Sequence, residues 1–204
     1  MPLVLEVILL AAGCSDRLGQ PKQLVEFQGQ SLIIRQSKMA LALSDKVICV
    51  LGFQAKRMAQ EVSQLSVRCV NNENWHSGLA SSIAAGVSAV APETDAVLLL
   101  LVDQWQLTLD DLQRLVTRWQ VEPESIVCAE HSTQDSGLAK VFGPPVIFPK
   151  QYFSALTRLP QGQGAKSVIA ANRQQVIWLP LASAFVDLDT PEQLSELQRV
   201  DNID

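Results

Sequence analysis

Four stretches of this 204-residue chain carry side chains able to handle phosphate and a hard cation. The first is Leu10-Ala11-Ala12-Gly13-Cys14-Ser15-Asp16-Arg17-Leu18-Gly19-Gln20-Pro21-Lys22. Small residues let a backbone approach a ligand closely, and its N–H groups can cradle phosphate oxygens. Arg17 and Lys22 add two cations able to sit over a triphosphate. The stretch is neither a GxxxxGK[ST] P-loop nor a GxGxxG turn. Taken bare, it also suits a strand-to-helix connection with two solvated cations. The second stretch, residues 72–86, holds Asn72, Trp75, His76, Gly78, Ser81, Ser82 and Gly86 at the opening of a helical segment. Ser81 and Ser82 can cap that helix, whose N-terminus would face an anion or a polar base. A plain N-cap with a glycine packing site accounts for the same residues. The third is Asp103, directly after the apolar run 96–102. A carboxylate at the C-terminal end of a central parallel strand suits Mg²⁺, though it is equally an ordinary strand-ending Asp. The fourth is Asp187-Leu188-Asp189-Thr190-Pro191. Alternate residues of an extended chain point the same way, so both carboxylates can share a face. Alternatively, Asp189 only precedes a helix N-terminus, where an acid is stabilised anyway.

The elements that must position these residues follow from hydrophobic patterning. Residues 3–10, 47–51, 67–70 and 96–102 are apolar runs that predict strands, and 31–43, 54–63 and 81–90 have helical spacing. Ser31 is a possible N-cap of the first helix, and Pro92 ends the third. Uniformly apolar strands are buried on both faces, the mark of a parallel sheet flanked by helices. The predicted fold is therefore α/β: a doubly wound, mostly parallel sheet in three α/β/α layers, with ligands at the strand C-termini. Further on, 109–119 predicts a helix and 126–129 a strand. Residues 139–148, interrupted by Gly143-Pro144-Pro145, predict a hairpin or a broken strand pair. Two short helices, 151–159 and 165–171, flank the glycine-rich 160–164, and 176–181 is a strand. A closing helix over 191–200 starts at Pro191 behind Thr190 as its cap. No repeat or long linker divides the chain, so residues 1–204 are expected to form one domain.

Composition narrows the class of function. Hydrophobic residues make up 48% and charged residues 18%, the balance of a compact globular protein. The net charge is −5 and no dense Lys/Arg run occurs, which argues against nucleic acid as a partner. The start of the chain lacks a basic region and carries Glu6 in its apolar run, unlike a signal peptide, and no apolar run is long enough for a membrane span. A cytoplasmic protein is expected. Cys49, Cys69 and Cys128 read as buried strand thiols, while Cys14 lies in the loop and has no His near it. His76 and His131 have no zinc spacing; His131 is expected in a solvated loop over 130–136.

The first stretch resembles the LAAGxSxRxGxxK signature of nucleotidyltransferases that include the molybdenum-cofactor cytidylyltransferases, through Leu10, Ala11, Ala12, Gly13, Ser15, Arg17, Gly19 and Lys22. The second resembles that family's NxxWxxGxxxSI…G segment, and residues 187–191 match its DxDTP motif. The resemblance spans the chain in length and element order and implies a Rossmann-like nucleotide-binding fold. It implies that Leu10, Ala11, Ala12 and Gly13 lie near the nucleotide, with Ser82, then Gly78, reading the base. Arg17 and Lys22 would hold the triphosphate, and Asp103 and Asp189 would bind Mg²⁺, with Asp187 in support. Arg17, Lys22 and Asp103 would be the catalytic residues.

The implied reaction is transfer of CMP, or another NMP, from an NTP to a phosphorylated acceptor such as molybdopterin, with release of pyrophosphate. It implies a molybdoenzyme as a partner. The nucleotide-binding half would cover about residues 1–105 and the acceptor half about 106–204. Departures stand out at three motifs. The family's GDxP pattern is here Val102-Asp103-Gln104-Trp105. Its GHP triplet and GDxGAR stretch are here Gly143-Pro144-Pro145 and Gln161-Gly162-Gln163-Gly164-Ala165-Lys166. The rival readings are a sugar- or polyol-phosphate nucleotidyltransferase and a catalytically weak nucleotide-binding protein that presents a cofactor.

Overall fold

The protein is described by a computed structural model covering residues 2–132 and 140–201. Strand β1 (Leu5–Leu10) is followed by a tiny hairpin of β2 (Glu26–Phe27) and β3 (Gln30–Ser31), then α1 (Leu32–Leu41), β4 (Val47–Leu51), α2 (Ala55–Glu61), β5 (Arg68–Asn71), α3 (Leu79–Ser88) and β6 (Ala96–Leu101). The second half adds α4 (Leu109–Val121), β7 (Ile126–Ser132), β8 (Lys140–Pro149), α5 (Phe153–Thr157), α6 (Lys166–Ala171), β9 (Val176–Pro180) and α7 (Pro191–Asp201). Seven strands form one sheet in the order β5-β4-β1-β6-β8-β7-β9. β5, β4, β1 and β6 run parallel, β8 is antiparallel to both β6 and β7, and β9 is parallel to β7.

Both faces of the sheet are covered, as apolar strands require. Val7, Leu9 and Ala11 face a core shared with Leu32 and Ile33 of α1, Met58 of α2, Leu112 and Trp119 of α4, and Leu197 of α7. Ile8, Leu10 and Ala12 face Ile83 and Val87 of α3, Leu156 of α5, and Ile169 of α6. The doubly wound, three-layer α/β fold expected from the patterning is the fold observed. The acid inside β1 is accounted for as well. Glu6 is buried, and its carboxylate accepts hydrogen bonds from Ala91 N (2.8 Å) and Thr94 Oγ1 (2.5 Å), tying β1 to the connection after α3.

The structure corrects the sequence reading in several places. Cys69 is exposed, because β5 is an edge strand with one neighbour; Cys49 and Cys128 are buried as expected. Residues 140–149 form one continuous strand rather than a hairpin or a broken pair; Ala139 lies outside the described residues. Pairing with β7 jumps from Val146↔Cys128 to Gly143↔Ala129, so a bulge absorbs Pro144 and Pro145, which lack one ladder donor each. His131 belongs to β7 and stacks on Phe185 (6.1 Å between ring centres) instead of lying in a solvated loop. The part of that loop over 133–136 lies outside the described residues. Ser31 occupies the N-cap of α1 but its hydroxyl donates to Glu61 Oε1 (2.8 Å), not to the helix.

Candidate active site

The strand order reverses direction at β1: β4 lies on one side and β6 on the other. Such a switch point opens a crevice at the strand C-termini. Here Leu10 pairs with Leu101, and the chain leaves both strands beside the same cavity of about 330 Å³. Leu10, Ala11, Ala12, Gly13, Lys22, Gly78, Ser82, Asp103 and Asp189 all line it, and so does Asp187. Of the sequence-predicted residues, Arg17 stands outside the lining, at the rim, with its side chain 74% exposed.

The loop after β1 is held by a residue that the motif reading passed over. Gln23 is fully buried, and its Nε2 donates to Ala11 O and Gly13 O, both at 2.8 Å. Those two carbonyls flank the small-residue bend, so one side chain fixes its path. Ser15 Oγ accepts from Lys22 N (3.2 Å) and pins the far end. Gly52 lets the neighbouring turn approach: a Cβ there would lie 2.4 Å from Trp75 Cβ and 2.8 Å from Ala12 O. Cys14 is half-buried, and burial pushes its thiol pKa up, which leaves it a poor nucleophile.

The charged groups converge. Lys22 Nζ donates to Asp103 Oδ2 (2.5 Å) and to Asp189 Oδ1 (2.8 Å), and Arg17 Nη2 donates to Asp189 Oδ2 (2.6 Å). Residues 22, 103 and 189 thus meet at one point, and the cation shared by the two acids is Lys22's own ammonium. Burial works to lower the Lys22 pKa, but the two carboxylates prevail and raise it. For Asp189 burial works upward, and the hydrogen bonds and charges of Lys22 and Arg17 prevail downward. Asp187 goes the other way, to about 6, through burial and then the negative charges of Asp103 and Asp189. Two converging carboxylates fit a hard divalent cation, which would draw its remaining ligands from phosphate and water. Asp189 is placed by the start of α7. Gln193 Oε1 accepts from Asp189 N (2.7 Å) and Thr190 N (3.0 Å), while Thr190 Oγ1 accepts from Gln193 N (3.4 Å), a reciprocal cap.

The predicted base-reading segment is built differently from its expectation. α3 begins at Leu79, with Gly78 at the N-cap and no side-chain cap, so Ser81 and Ser82 are helical residues rather than caps. Gly78 takes φ +94°, a turn into the helix that side chains resist. Ser82 is buried, and its Oγ accepts from Asn72 Nδ2 (3.1 Å), which also donates to Ser81 Oγ (2.9 Å). Asn72 therefore fixes this wall, a role that its place in the motif hinted at.

The turn after β6 explains how the chain manages without the family's Gly and Pro. Val102 and Trp105 are buried in the core, Trp105 edge-on to Phe27 at 5.2 Å. Gln104 does the bracing: its Nε2 donates to Pro144 O and Ala184 O, both 2.7 Å, and its backbone carbonyl accepts from Gln36 Nε2 (2.8 Å). A second cavity, about 490 Å³, adjoins the first and shares Gly78, Leu79, Leu101 and Asp187 with it. Pro144, Gly162 and Lys166, which stand where the sequence departs from the family's motifs, line this second cavity together with Gly143.

Comparison with known proteins agrees with the geometry. Nicotine blue oxidoreductase of Paenarthrobacter nicotinovorans is 30% identical over 195 residues, 93% of this chain and 94% of that protein. Molybdenum cofactor cytidylyltransferase of Escherichia coli (strain K12) is 22% identical over 189 residues, 92% of each chain. Among solved structures, Rv0371c from Mycobacterium tuberculosis H37Rv superposes with a TM-score of 0.81 at 25% identity, over 98% of this chain and 100% of that one. That protein is also solved in complex with manganese (TM-score 0.76, 23% identity, 98% and 100% covered). The family described as the MobA-like NTP transferase domain matches residues 7–176, which include the loop after β1, the Asn72–Ser82 wall and Asp103. By that match the chain belongs to the MobA-like NTP transferase domain family.

Proposed function

We propose that this protein moves a nucleotidyl group, CMP in the favoured case, from an NTP to a small phosphorylated acceptor and releases pyrophosphate, with Mg²⁺ as its metal. The observation that carries this reading is the meeting of Lys22, Asp103 and Asp189 beside the small-residue loop, at the switch point of the sheet. An acceptor phosphate oxygen bonds to the α-phosphorus, and the bond from that phosphorus to the bridging oxygen breaks, so pyrophosphate carries away the electron pair. Mg²⁺ held by Asp103 and Asp189 would neutralise charge on the phosphate oxygens. Leu10, Ala11, Ala12 and Gly13 present backbone to the nucleotide, and Ser82 and Gly78 face its base. Lys22 and Arg17 supply positive charge to the transferred and leaving groups. No side chain needs to act as nucleophile, since alignment and electrostatics provide the acceleration.

Residues up to about 105 bind the nucleotide and the remainder of the same single domain holds the acceptor, in the cytoplasm. Among the described residues no helix is long and apolar enough to cross a membrane. The E. coli relative is named for the molybdenum cofactor, which supports molybdopterin as the acceptor here; a molybdoenzyme would then consume the product. The test is pyrophosphate release from each of the four NTPs, with Mg²⁺ and a panel of phosphorylated acceptors. Wild-type protein is expected to release pyrophosphate with CTP first, and Asp103→Ala and Asp103→Asn to lose roughly 10²–10³-fold or more. A folded Asp103→Ala protein with full turnover would refute the assignment.

A second reading is favoured by one observation, that the relative at 30% identity bears the name of an oxidoreductase. On that reading the same crevice takes a nicotinamide dinucleotide. Stabilisation by NADH or NADPH, with none by any NTP, would select it.

A further inference from the structure

We propose that Asn72 holds the Ser82 hydroxyl as a hydrogen-bond donor toward the first cavity, and that this polarity selects a nucleobase with an accepting ring edge, cytosine over uracil. The inference rests on the nucleotidyltransferase reading, because it names the base that the site takes. Asn72 is buried and directly follows β5. Its backbone is fixed on both sides: Asn72 N donates to Leu51 O (2.7 Å), and Asn72 O accepts from Trp75 N (3.2 Å). In the side chain, Oδ1 accepts from Asn74 N (3.0 Å). A backbone N–H can only donate, so that contact tells which end of the amide is oxygen. The Nδ2 end is thereby turned to two serines, Ser81 Oγ (2.9 Å) and Ser82 Oγ (3.1 Å).

An amide nitrogen donates and does not accept, so each serine receives a hydrogen there and must send its own elsewhere. Ser81 Oγ has two carbonyls in reach, Asn74 O (2.9 Å) and Gly78 O (2.8 Å). For Ser82 no acceptor of its hydrogen stands among the described residues. The Gly78 carbonyl, which a helical serine four residues on commonly uses, already accepts from Ser81 N (3.2 Å) and Ser81 Oγ. Ser82 lines the first cavity together with Ala11, Ala12 and Gly78, so its spare hydrogen is offered to a ligand there. Leaving a buried donor unpaired is costly, and the base that pairs it is favoured. Cytosine brings an accepting ring nitrogen, N3, beside the accepting O2. Uracil carries a hydrogen on that nitrogen. It could give this hydrogen to the remaining lone pair of Ser82 Oγ, but the serine's own hydrogen would then have no partner.

The test is calorimetric titration of the full chain with CTP and with UTP, each with Mg²⁺, read as the ratio of the two affinities. That ratio is blind to whatever acts on both nucleotides alike, such as a new charge near the phosphates or a small loss of stability. Wild type is expected to bind CTP about tenfold or more tightly than UTP. Asn72→Asp reverses the polarity: a carboxylate only accepts, so Ser82 gives its hydrogen to residue 72 and shows lone pairs to the base. The ratio should fall by about tenfold or more, toward UTP. Ser82→Ala removes the hydroxyl alone and should bring the ratio close to unity. Adding Asn72→Asp to Ser82→Ala should move the ratio no further, an outcome that a merely structural role of Asn72 would not produce. Equal binding of CTP and UTP by wild type, or a ratio unchanged by Asn72→Asp and by Ser82→Ala, overturns the proposal and leaves nucleotidyl transfer standing. So does an Asn72→Asp shift that persists in the Ser82→Ala background. Should Asn72→Asp fail to fold, the Ser82→Ala ratio decides alone. Binding of no NTP at all removes the nucleotidyl reading and this proposal with it.

Discussion

Lys22 stands where a divalent cation would stand, between Asp103 and Asp189. An ammonium and a metal ion cannot share that point, because their like charges repel at close range. The lysine must therefore turn toward phosphate when a metal enters, which fits its expected hold on the triphosphate. It follows that Lys22→Met frees the two carboxylates. Such a variant should bind Mn²⁺ without nucleotide about tenfold more tightly than wild type, a gain near 1.4 kcal/mol, while its affinity for NTP falls. Titration followed by Mn²⁺ electron paramagnetic resonance measures the first effect; an unchanged Mn²⁺ affinity would show that the acids meet the metal elsewhere. The thiols offer a separate check. Burial pushes Cys128 up to about 12 and Cys49 higher still. At pH 8 the Cys128 thiolate fraction is on the order of 10⁻⁴, so native protein should react with a thiol reagent quickly at exposed Cys69, more slowly at Cys14, and hardly at all at Cys49 and Cys128 until it unfolds. Asp103, Asp189 and Lys22 stood out in the sequence because they fall in stretches that resemble one family's motifs; each residue alone also suits an ordinary structural role, and only the fold brings the three together. Gln23 and Gln104 did not stand out, because a glutamine becomes structural only through the carbonyls it meets, and those lie elsewhere in the chain; Gln193 meets only Asp189 and Thr190 just before it, a local cap pattern that the motif reading passed over.

Helix α3 carries the Ser82 wall, and its seat on the sheet is set by Gly86. A Cβ at Gly86 would lie 2.6 Å from Ile8 Cγ2 and 3.1 Å from Val50 Cγ2. Ile8 is fully buried, so the clash cannot relax into solvent. Gly86→Ala therefore sets overpacking, about 1–3 kcal/mol, against the helix preference of alanine, about 1 kcal/mol. Packing wins in this tight contact, and the expected outcome is a melting temperature lower by a few degrees, read by calorimetry. The cap of α7 is a milder device. Gln193→Ala removes the acceptor that fixes Asp189 N and Thr190 N and should cost about 1 kcal/mol of stability. Since the same bond orients Asp189, the variant should also raise KM for metal-bound nucleotide more than Glu192→Ala, a neighbour on the same turn. The strands and helices of the first half were legible because their apolar runs and helical spacing stand out, though no side chain caps α1, α2 or α3; β4 falls at residues 47–51, as expected. The two-residue strands β2 and β3 were not, since two residues show no alternation, even though Gln28 and Gly29 both take positive φ, as a tight hairpin requires. β8 misled for a physical reason as well: a Gly-Pro-Pro interruption signals a turn locally, and only the pairing with β6 and β7 on either side turns it into a bulge.

The crevice joins β1, β6, the loop after β1 and the start of α7, which come from opposite ends of the chain. A ligand bound there crosslinks these parts and stabilises the fold as a unit. A doubly wound sheet with its ligand edge at the strand C-termini was foreseeable from four apolar runs and right-handed crossovers; the strand order itself was not. The ion pairs between residue 189 and residues 17 and 22 were not, because no local signal fixes how the last helix returns over the first strand. Linkage makes the idea quantitative. A ligand at a hundred times its Kd that binds only the native state contributes about 2.7 kcal/mol. For a chain of this length each kcal/mol moves the melting temperature by about 2–4 °C, so the correct NTP with Mg²⁺ should raise it by roughly 5–10 °C. Adding EDTA should remove most of that rise, because two carboxylates facing a polyphosphate repel it once the metal is gone. Asp103→Asn relieves part of this repulsion while losing a ligand, so its rise should be smaller and nearly independent of EDTA. That pattern separates a metal-bridged triphosphate from a nucleotide held by its base alone, which would stabilise both proteins equally with or without chelator.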